Sequence, residues 1–446
     1  MRASAVKYVV LTITLSLLCV VLALVPFHAF GTIWASQQFD ANYTILRLWK
    51  EFLVALAAVG VLYLLLFDQK VRFHTSKRRL TWLIVAYLAL LGAAAVWAWV
   101  HNDVTAKAAA YGVLLQSRYL VFFLLAWAVA VRTQRFERRW PKLLFWPAAA
   151  VVVFGLLQVF VLPADFLRHF GYGPDTIKPI ATINNNLEYQ RYFSTLRGPN
   201  PLGAYLLLPI AALTALLLRN PKSWNWLKGT LLAGSVLLLF FSHSRSAWIG
   251  ATAAITTVLL LSIPRQWLRR HAKKLIGATL AGGLITVGLV AALWSDPAFQ
   301  NALFHTEDAS TVVLSSNDQR ASALHQGMQQ ALQEPLGRGP GTAGPASVYN
   351  QPHPVRLAEN YYLQTAQEIG LLGLGLFVAI LLSVGNVLWD RRSSPLALAL
   401  FASLIGISIV NLLSHAWTDD TLAYVWWGLA GIAVGTRLTP DDETTT

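Results

Sequence analysis

The chain has little charge for its length. Of its 446 residues only 13% are Asp, Glu, Lys or Arg, where a soluble domain carries roughly a quarter. So little charge cannot cover a water-facing surface of this size, which excludes a soluble enzyme and a disordered protein. There is a single cysteine, Cys19, within the first apolar run, so no disulfide can form inside the chain and a secreted disulfide scaffold is excluded. No Asp-x-Asp pair is present, and His325, His353 and His415 share no metal-ligand spacing. The run Pro335-Leu336-Gly337-Arg338-Gly339-Pro340-Gly341 resembles a phosphate loop but lacks the lysine and the following helix pattern, so it is read as a tight turn.

What the chain has is apolar residues, 56% of the total, with a mean hydropathy of +0.51. A membrane span needs about 20 mostly apolar residues, and about twelve candidate runs are present. They are Tyr8–Phe27, Leu46–Phe67, Leu80–Val100, Ala109–Val131, Leu143–Leu162, Leu202–Leu218, Gly229–Phe241, Trp248–Ile263, Leu275–Trp294, Leu363–Trp389, Pro395–Leu413 and Leu422–Val434. The first lacks a small-residue cleavage site and is expected to stay as a span. The fold expected is therefore all-α and polytopic, with residues 1–446 as one integral membrane domain.

Alternate connections hold most of the 35 Lys and Arg: Lys70 to Arg79, Arg132 to Lys142, Arg219 to Lys228, Arg265 to Lys274, and Arg391-Arg392. By the positive-inside rule these connections, both termini and the tail from 435 to 446 are expected in the cytoplasm. Much of the net charge of +14 is then a topology signal and an attraction to anionic lipid, not a nucleic-acid surface. Two long loops, 163–201 and 295–360, fall on the opposite side. The second contains an amphipathic helix candidate with Ala321, Leu324, Met328, Ala331 and Leu332 at helical spacing. Asn317 or Ser316 can cap its start and Pro335 ends it, and it is expected to lie on the membrane or on the bundle.

Ionisable groups within spans are functional candidates by default. Arg118 lies about ten residues into the fourth run; it either serves a substrate or pairs with a buried acid such as Glu51. Arg245 lies in Ser242-His243-Ser244-Arg245-Ser246, where a hairpin would set guanidinium, imidazole and hydroxyls at the headgroup level. The planar fork of arginine suits phosphate. Arg197 precedes Gly198-Pro199-Asn200-Pro201 at a membrane entry, and Arg191 is a second candidate in that loop. Asn360, Gln364 and Glu368, at i, i+4 and i+8, form one polar stripe on an apolar helix and are expected to face a cavity. Glu359 at its mouth is read either as a general base for a sugar hydroxyl or as a helix N-terminal acid favoured by the dipole.

In this order these segments resemble the O-antigen ligase and polymerase family of bacterial inner-membrane glycosyltransferases. The likeness is carried by Arg197 to Gly203, Ser242 to Arg245, the stretch from Arg320 through Gly341, and Glu359-Asn360-Tyr361-Tyr362-Leu363 with Glu368 to Gly373. It is best over about residues 190–415. It implies a GT-C-like membrane fold of about twelve helices, with the large loop between the ninth and tenth. It also implies metal-independent, cofactor-free transfer of a glycan from undecaprenyl pyrophosphate to an acceptor hydroxyl, the acceptor being a glycan, lipid or protein. Family members hold the pyrophosphate on arginines, which map to Arg197 and Arg245. The ligases commonly carry histidine where this chain has Glu359, so either Glu359 takes the base role, or His353 folds into the site, or the chain is a divergent member with another acceptor. Arg118, Arg191, His243, Arg320, His353, Asn360 and Gln364 are the expected substrate-binding residues. A repeat-unit polymerase of the same family, or a transporter or flippase for a polar lipid or solute, are the alternatives.

Overall fold

A computed structural model of the chain describes residues 2–76, 78–183, 186–263, 266, 270, 316–357 and 359–436. Its helices are α1 (Arg2–Leu24), α2 (His28–Gln38), α3 (Tyr43–Leu46), α4 (Trp49–Phe67), α5 (Gln69–Ser76), α6 (Arg79–Val100), α7 (Ala106–Arg132), α8 (Gln134–Phe160), α9 (Pro199–Arg219), α10 (Trp226–Phe241), α11 (Arg245–Ser262), α12 (Ser316–Gln333), α13 (Tyr361–Asp390), α14 (Pro395–Asn411) and α15 (Asp420–Gly435). One two-stranded antiparallel sheet, β1 (Ala181–Ile183) and β2 (Asn186–Arg191), pairs Ala181 with Arg191 inside the first long loop.

The all-α polytopic class stands. Among the described residues eight helical segments are long and apolar enough to cross a membrane, and α10 and α14 are shorter apolar helices. Helix α15 is apolar and has 16 residues. The expected ninth span, Leu275–Trp294, lies outside the described residues. Helix α8 starts nine residues before the expected Leu143, running through Pro141 and Pro147.

Small residues let the central helices approach closely, as membrane helices require when hydrophobicity does not drive association. A side chain on Gly250 of α11 would meet the Gly406 carbonyl of α14 at 2.8 Å, and one on Gly431 of α15 would meet the Phe123 carbonyl of α7 at 2.5 Å. Around this seam Trp417, Trp426 and Trp427 pack on one another and on Tyr119, all fully buried.

The run Pro335 to Gly344 is more than a tight turn. It wraps a kink in α13 at Ile369-Gly370, where the backbone leaves helical geometry. The amides of Arg338 and Gly339 donate to the carbonyls of Gln367 and Glu368 at 2.9 and 2.8 Å, and Leu371 donates to Pro335 at 2.9 Å. The Glu368 carboxylate accepts from the Gly341 amide at 2.6 Å, from Gln364 at 3.2 Å and from Gln116. Irregular backbone at this depth is tolerated because it is buried in protein with its polar groups satisfied. Gln364 and Glu368 of the stripe therefore meet this loop, not an open cavity; Gln364 packs against Gly344.

Helix α12 lies on the bundle, packed against α13. Its buried line runs through Gly327 and Ala331, and Gln367 donates to Gln330 at 2.7 Å. Met328 and Leu332, expected on the buried face, are exposed.

Candidate functional site

The first long loop, the described part of the second and the beginnings of α4, α7, α9, α11, α13 and α15 share one end of the bundle. There the sequence places two acids, Asp419 and Asp420, before an apolar run. Asp419 caps α15 by accepting from the Leu422 amide at 3.1 Å. Asp420 turns into the bundle and gathers three partners. They are Lys50 at 3.1 Å, His28 Nε2 at 3.1 Å and the Arg118 guanidinium. Lys50 also reaches Glu51 at 3.1 Å and donates to the Arg47 carbonyl at 2.9 Å. Arg118 lies 3.8 Å from Glu51 and donates to the Thr418 carbonyl at 2.7 Å. Trp49 donates to His28 Nδ1 at 3.0 Å, which leaves the ring proton on Nε2, facing Asp420. Of the two readings of Arg118, the buried pair is present, with Asp420 as its nearer acid.

Beside this network opens a pocket lined by His28, Tyr43, Arg47, Ile177, Arg197, Asp419, Asp420 and Thr421. Arg197 is exposed at it. Arg47 donates to the Tyr111 hydroxyl at 3.2 Å and sits over the Tyr43 ring. Among the described residues neither guanidinium comes within ion-pair distance of a carboxylate. Burial, and then the neighbouring Asp420, push the Asp419 carboxyl up to about 6, against the pull of the Leu422 amide and of Arg197.

Arg191 ties two expected segments together. Its guanidinium donates to Asn200 Oδ1 at 2.7 Å and to the carbonyls of Ser242 and His243 at 3.2 and 3.3 Å. The loop carrying Arg197 is thus fastened to the hairpin carrying Arg245, and Gly203 admits Ser244 beside it. His243 sits in the left-handed region at φ +48°. Burial, with Arg191, pushes its imidazole down, and its Nδ1 is buried without a hydrogen bond among the described residues.

The connection from Leu412 to Asp419 joins these parts to Glu359. Asn360 caps α13 by accepting from Leu363 at 3.0 Å while its amide donates to the Leu412 carbonyl at 3.0 Å. The Tyr361 amide donates to Ser414 at 3.2 Å. Glu359, at φ +47° and half-buried, is held just outside this clasp. Its charge raises the His415 imidazole, which burial lowers by more. Helices α11 and α14 touch at Gly250 and Gly406. The same connection borders the start of α13 beside Glu359, Arg118 through Thr418 and, through Asp419, Arg197.

His353 lies elsewhere. Its amide bonds Asn350, whose side chain holds Thr105 and Asp103 in the α6–α7 connection. Gln364 is sequestered against the 335–344 loop. Arg320 is on α12, with its side chain outside the described residues. Among the described residues no three His, Cys, Asp or Glu side chains are arranged to hold a metal ion. Sequence reasoning missed Arg47, Lys50, His28, Asp419 and Asp420. The adjacent Asp419-Asp420 and the Arg47–Lys50–Glu51 cluster, each at the start of an apolar run, were the available signal.

Residues 230–378 match the family model described as O-antigen ligase, which supports membership of that family. The matched stretch holds His243, Arg245, Arg320, His353, Glu359, Asn360 and Gln364, and stops short of Arg197 and the Asp420 network. No curated protein matches the chain.

Proposed function

We propose that this multi-pass membrane protein of the O-antigen ligase type transfers a glycan from undecaprenyl pyrophosphate to an acceptor hydroxyl. The acceptor is a glycan, lipid or protein. The reaction takes place at the extracytoplasmic face of a bacterial cytoplasmic membrane. The basic connections and the termini then face the cytoplasm, and the loop-rich end faces outward among membrane lipids.

The acceptor oxygen attacks the anomeric carbon. The bond from that carbon to the pyrophosphate oxygen breaks, its electron pair leaves with the pyrophosphate, and the configuration inverts. Arg197 and Arg245 neutralise the charge that develops on the leaving group. Glu359 takes the acceptor proton. Pyrophosphate is already a good leaving group, so holding both substrates and stabilising charge supply most of the acceleration.

The observation that carries this reading is the Arg191 brace together with the Asn360 clasp, within a chain whose residues 230–378 match the family. The first fastens the loop bearing Arg197 to the hairpin bearing Arg245, and the second fastens the start of α13, next to Glu359, to Leu412. The test is transfer from a purified undecaprenyl-pyrophosphate glycan by the detergent-purified chain. The Arg245→Ala and Arg197→Gln variants are expected to lose on the order of 10²-fold in rate, and Glu359→Gln on the order of 10²-fold or more. Full rates in all three would refute the assignment.

A further inference from the structure

A groove of about 600 Å³ runs between α13 and α14. Helix α13 lines it with Leu382, Gly385, Asn386 and Trp389, at i, i+3, i+4 and i+7 on one face, and α14 lines it with Phe401 and Ile405. Leu382, Asn386 and Trp389 are exposed, so the groove opens toward the bilayer. Gly385 gives it depth, since a side chain there would project into it beside Leu404, whose nearest carbon is 3.5 Å from the Cβ position. Toward the candidate site the groove is closed. The kink at Ile369-Gly370 folds Tyr362 back beside Phe377, with ring centroids 6.4 Å apart. The Tyr362 hydroxyl then donates to the Ser408 carbonyl at 3.4 Å, and the Asn360 amide to Leu412 at 3.0 Å. Both bonds join α13 to the end of α14 above the groove.

Polarity is graded along the other direction. The middle of the groove is apolar. Asn386 follows, one turn before Trp389, and an exposed amide on a spanning helix is costly unless it meets a polar group. Trp389 is of the type that settles at the membrane interface. The Arg392 guanidinium lies over its ring at 4.3 Å and donates to its carbonyl at 2.8 Å. Among the described residues no carboxylate is within ion-pair distance of Arg392, the neighbouring Asp390 included. Arg391 is tied instead to the carbonyls of Ala433 and Thr436. Read from Arg392 inward, the groove offers a cation, an interfacial ring, an amide and then hydrocarbon, which is the order of groups in a phospholipid.

We propose that the α13–α14 groove binds one acyl chain of an anionic phospholipid from the leaflet on the side of the basic connections, with Arg392 on its phosphate and Asn386 on its ester carbonyl. Basic groups between spans at this level favour headgroups of net negative charge. The site stands at the end of α13 remote from Glu359 and does not depend on the transfer reading.

The test is native mass spectrometry of the delipidated, detergent-purified full chain with dioleoyl phosphatidylglycerol, dioleoyl phosphatidylcholine, glycerophosphoglycerol and undecaprenyl phosphate. The first phosphatidylglycerol is expected to bind about fivefold more tightly than phosphatidylcholine. Arg392→Gln should erase that preference. Gly385→Leu, which fills the groove, should weaken both phospholipids by about tenfold. Lys222→Gln, at an exposed lysine in the α9–α10 connection, should change nothing. An unloaded melting temperature equal to wild type shows that Gly385→Leu is folded; if it is lowered, Ile405→Phe fills the groove from α14 and carries the comparison.

Equal affinities for the two phospholipids in the wild type overturn the proposal, as does a preference that survives Arg392→Gln. Wild-type affinity in the folded filling variant removes the chain from the groove. Glycerophosphoglycerol bound as tightly as the whole lipid would make the site a free-anion site. Displacement of phosphatidylglycerol by undecaprenyl phosphate, lost in the filling variant, would give the groove to a polyprenol instead.

Discussion

Replacing Asp420 by Asn tests the charge network on which the pocket is built. The change preserves shape and removes one negative charge from a site where Arg118 and Lys50 are almost fully buried. Breaking a buried ion pair by removing one partner costs about 3–5 kcal/mol, because the remaining charge has no compensation. Here Glu51 remains 3.1 Å from Lys50 and 3.8 Å from Arg118, so the loss should lie near the lower end, about 3 kcal/mol. Spread over the unfolding entropy of a chain this long, that corresponds to on the order of 3 °C in melting temperature. Thermal unfolding in detergent, read by tryptophan fluorescence, measures it. A double cycle sharpens the test. Arg118→Met with Asp420→Leu should be less destabilising than the two single changes summed, by about 1–3 kcal/mol. An Asp420→Asn protein that melts like wild type, or a cycle with no coupling, would refute the claim that this carboxylate is the counter-ion of the cluster.

Asp419 should give donor binding a pH dependence. Its carboxyl is raised to about 6, so as pH rises through 6 a negative charge appears beside Arg197. Affinity for a glycan-pyrophosphate lipid should then fall about threefold to tenfold between pH 5 and 7, and Asp419→Asn should flatten that profile. The same raised value means that folding takes up a proton between about pH 4 and 6. Ionised Asp419 therefore opposes the fold above that window, and Asp419→Asn, which keeps the cap, should raise the melting temperature at pH 7 but not at pH 4. Gly341→Ala should cost more than about 3 kcal/mol. Its φ is +92° and the new Cβ would lie 2.3 Å from the Ala108 carbonyl, so limited proteolysis should open the 335–344 loop.

Much of the fold was legible because span-length apolar runs and basic connections are local signals. Arg118 also announced itself, as a charge where hydrocarbon permits few. The partner it takes did not, since Asp420 lies some 300 residues away. The pair Asp419-Asp420 reads from sequence as an ordinary helix cap, and one of the two is that. Of the polar stripe of α13, Gln364 and Glu368 face the 335–344 loop and Asn360 faces Leu412. What covers the stripe was not legible, because hydrogen bonding to a glycine-rich loop depends on backbone geometry at Gly337, Gly339 and Gly341 that composition does not reveal. Arg191 looked like a ligand for substrate. It proves to brace the Asn200 and His243 segments, a role visible only once the two loops are side by side.

The most direct measurement is an experimental structure of the chain with a non-transferable undecaprenyl-diphosphate sugar bound. The account predicts the diphosphate in contact with Arg197 and Arg245, with Glu359 facing the anomeric carbon of the sugar. A headgroup resting at the opposite end of the bundle, or one that leaves Arg197 without a phosphate contact, would contradict it.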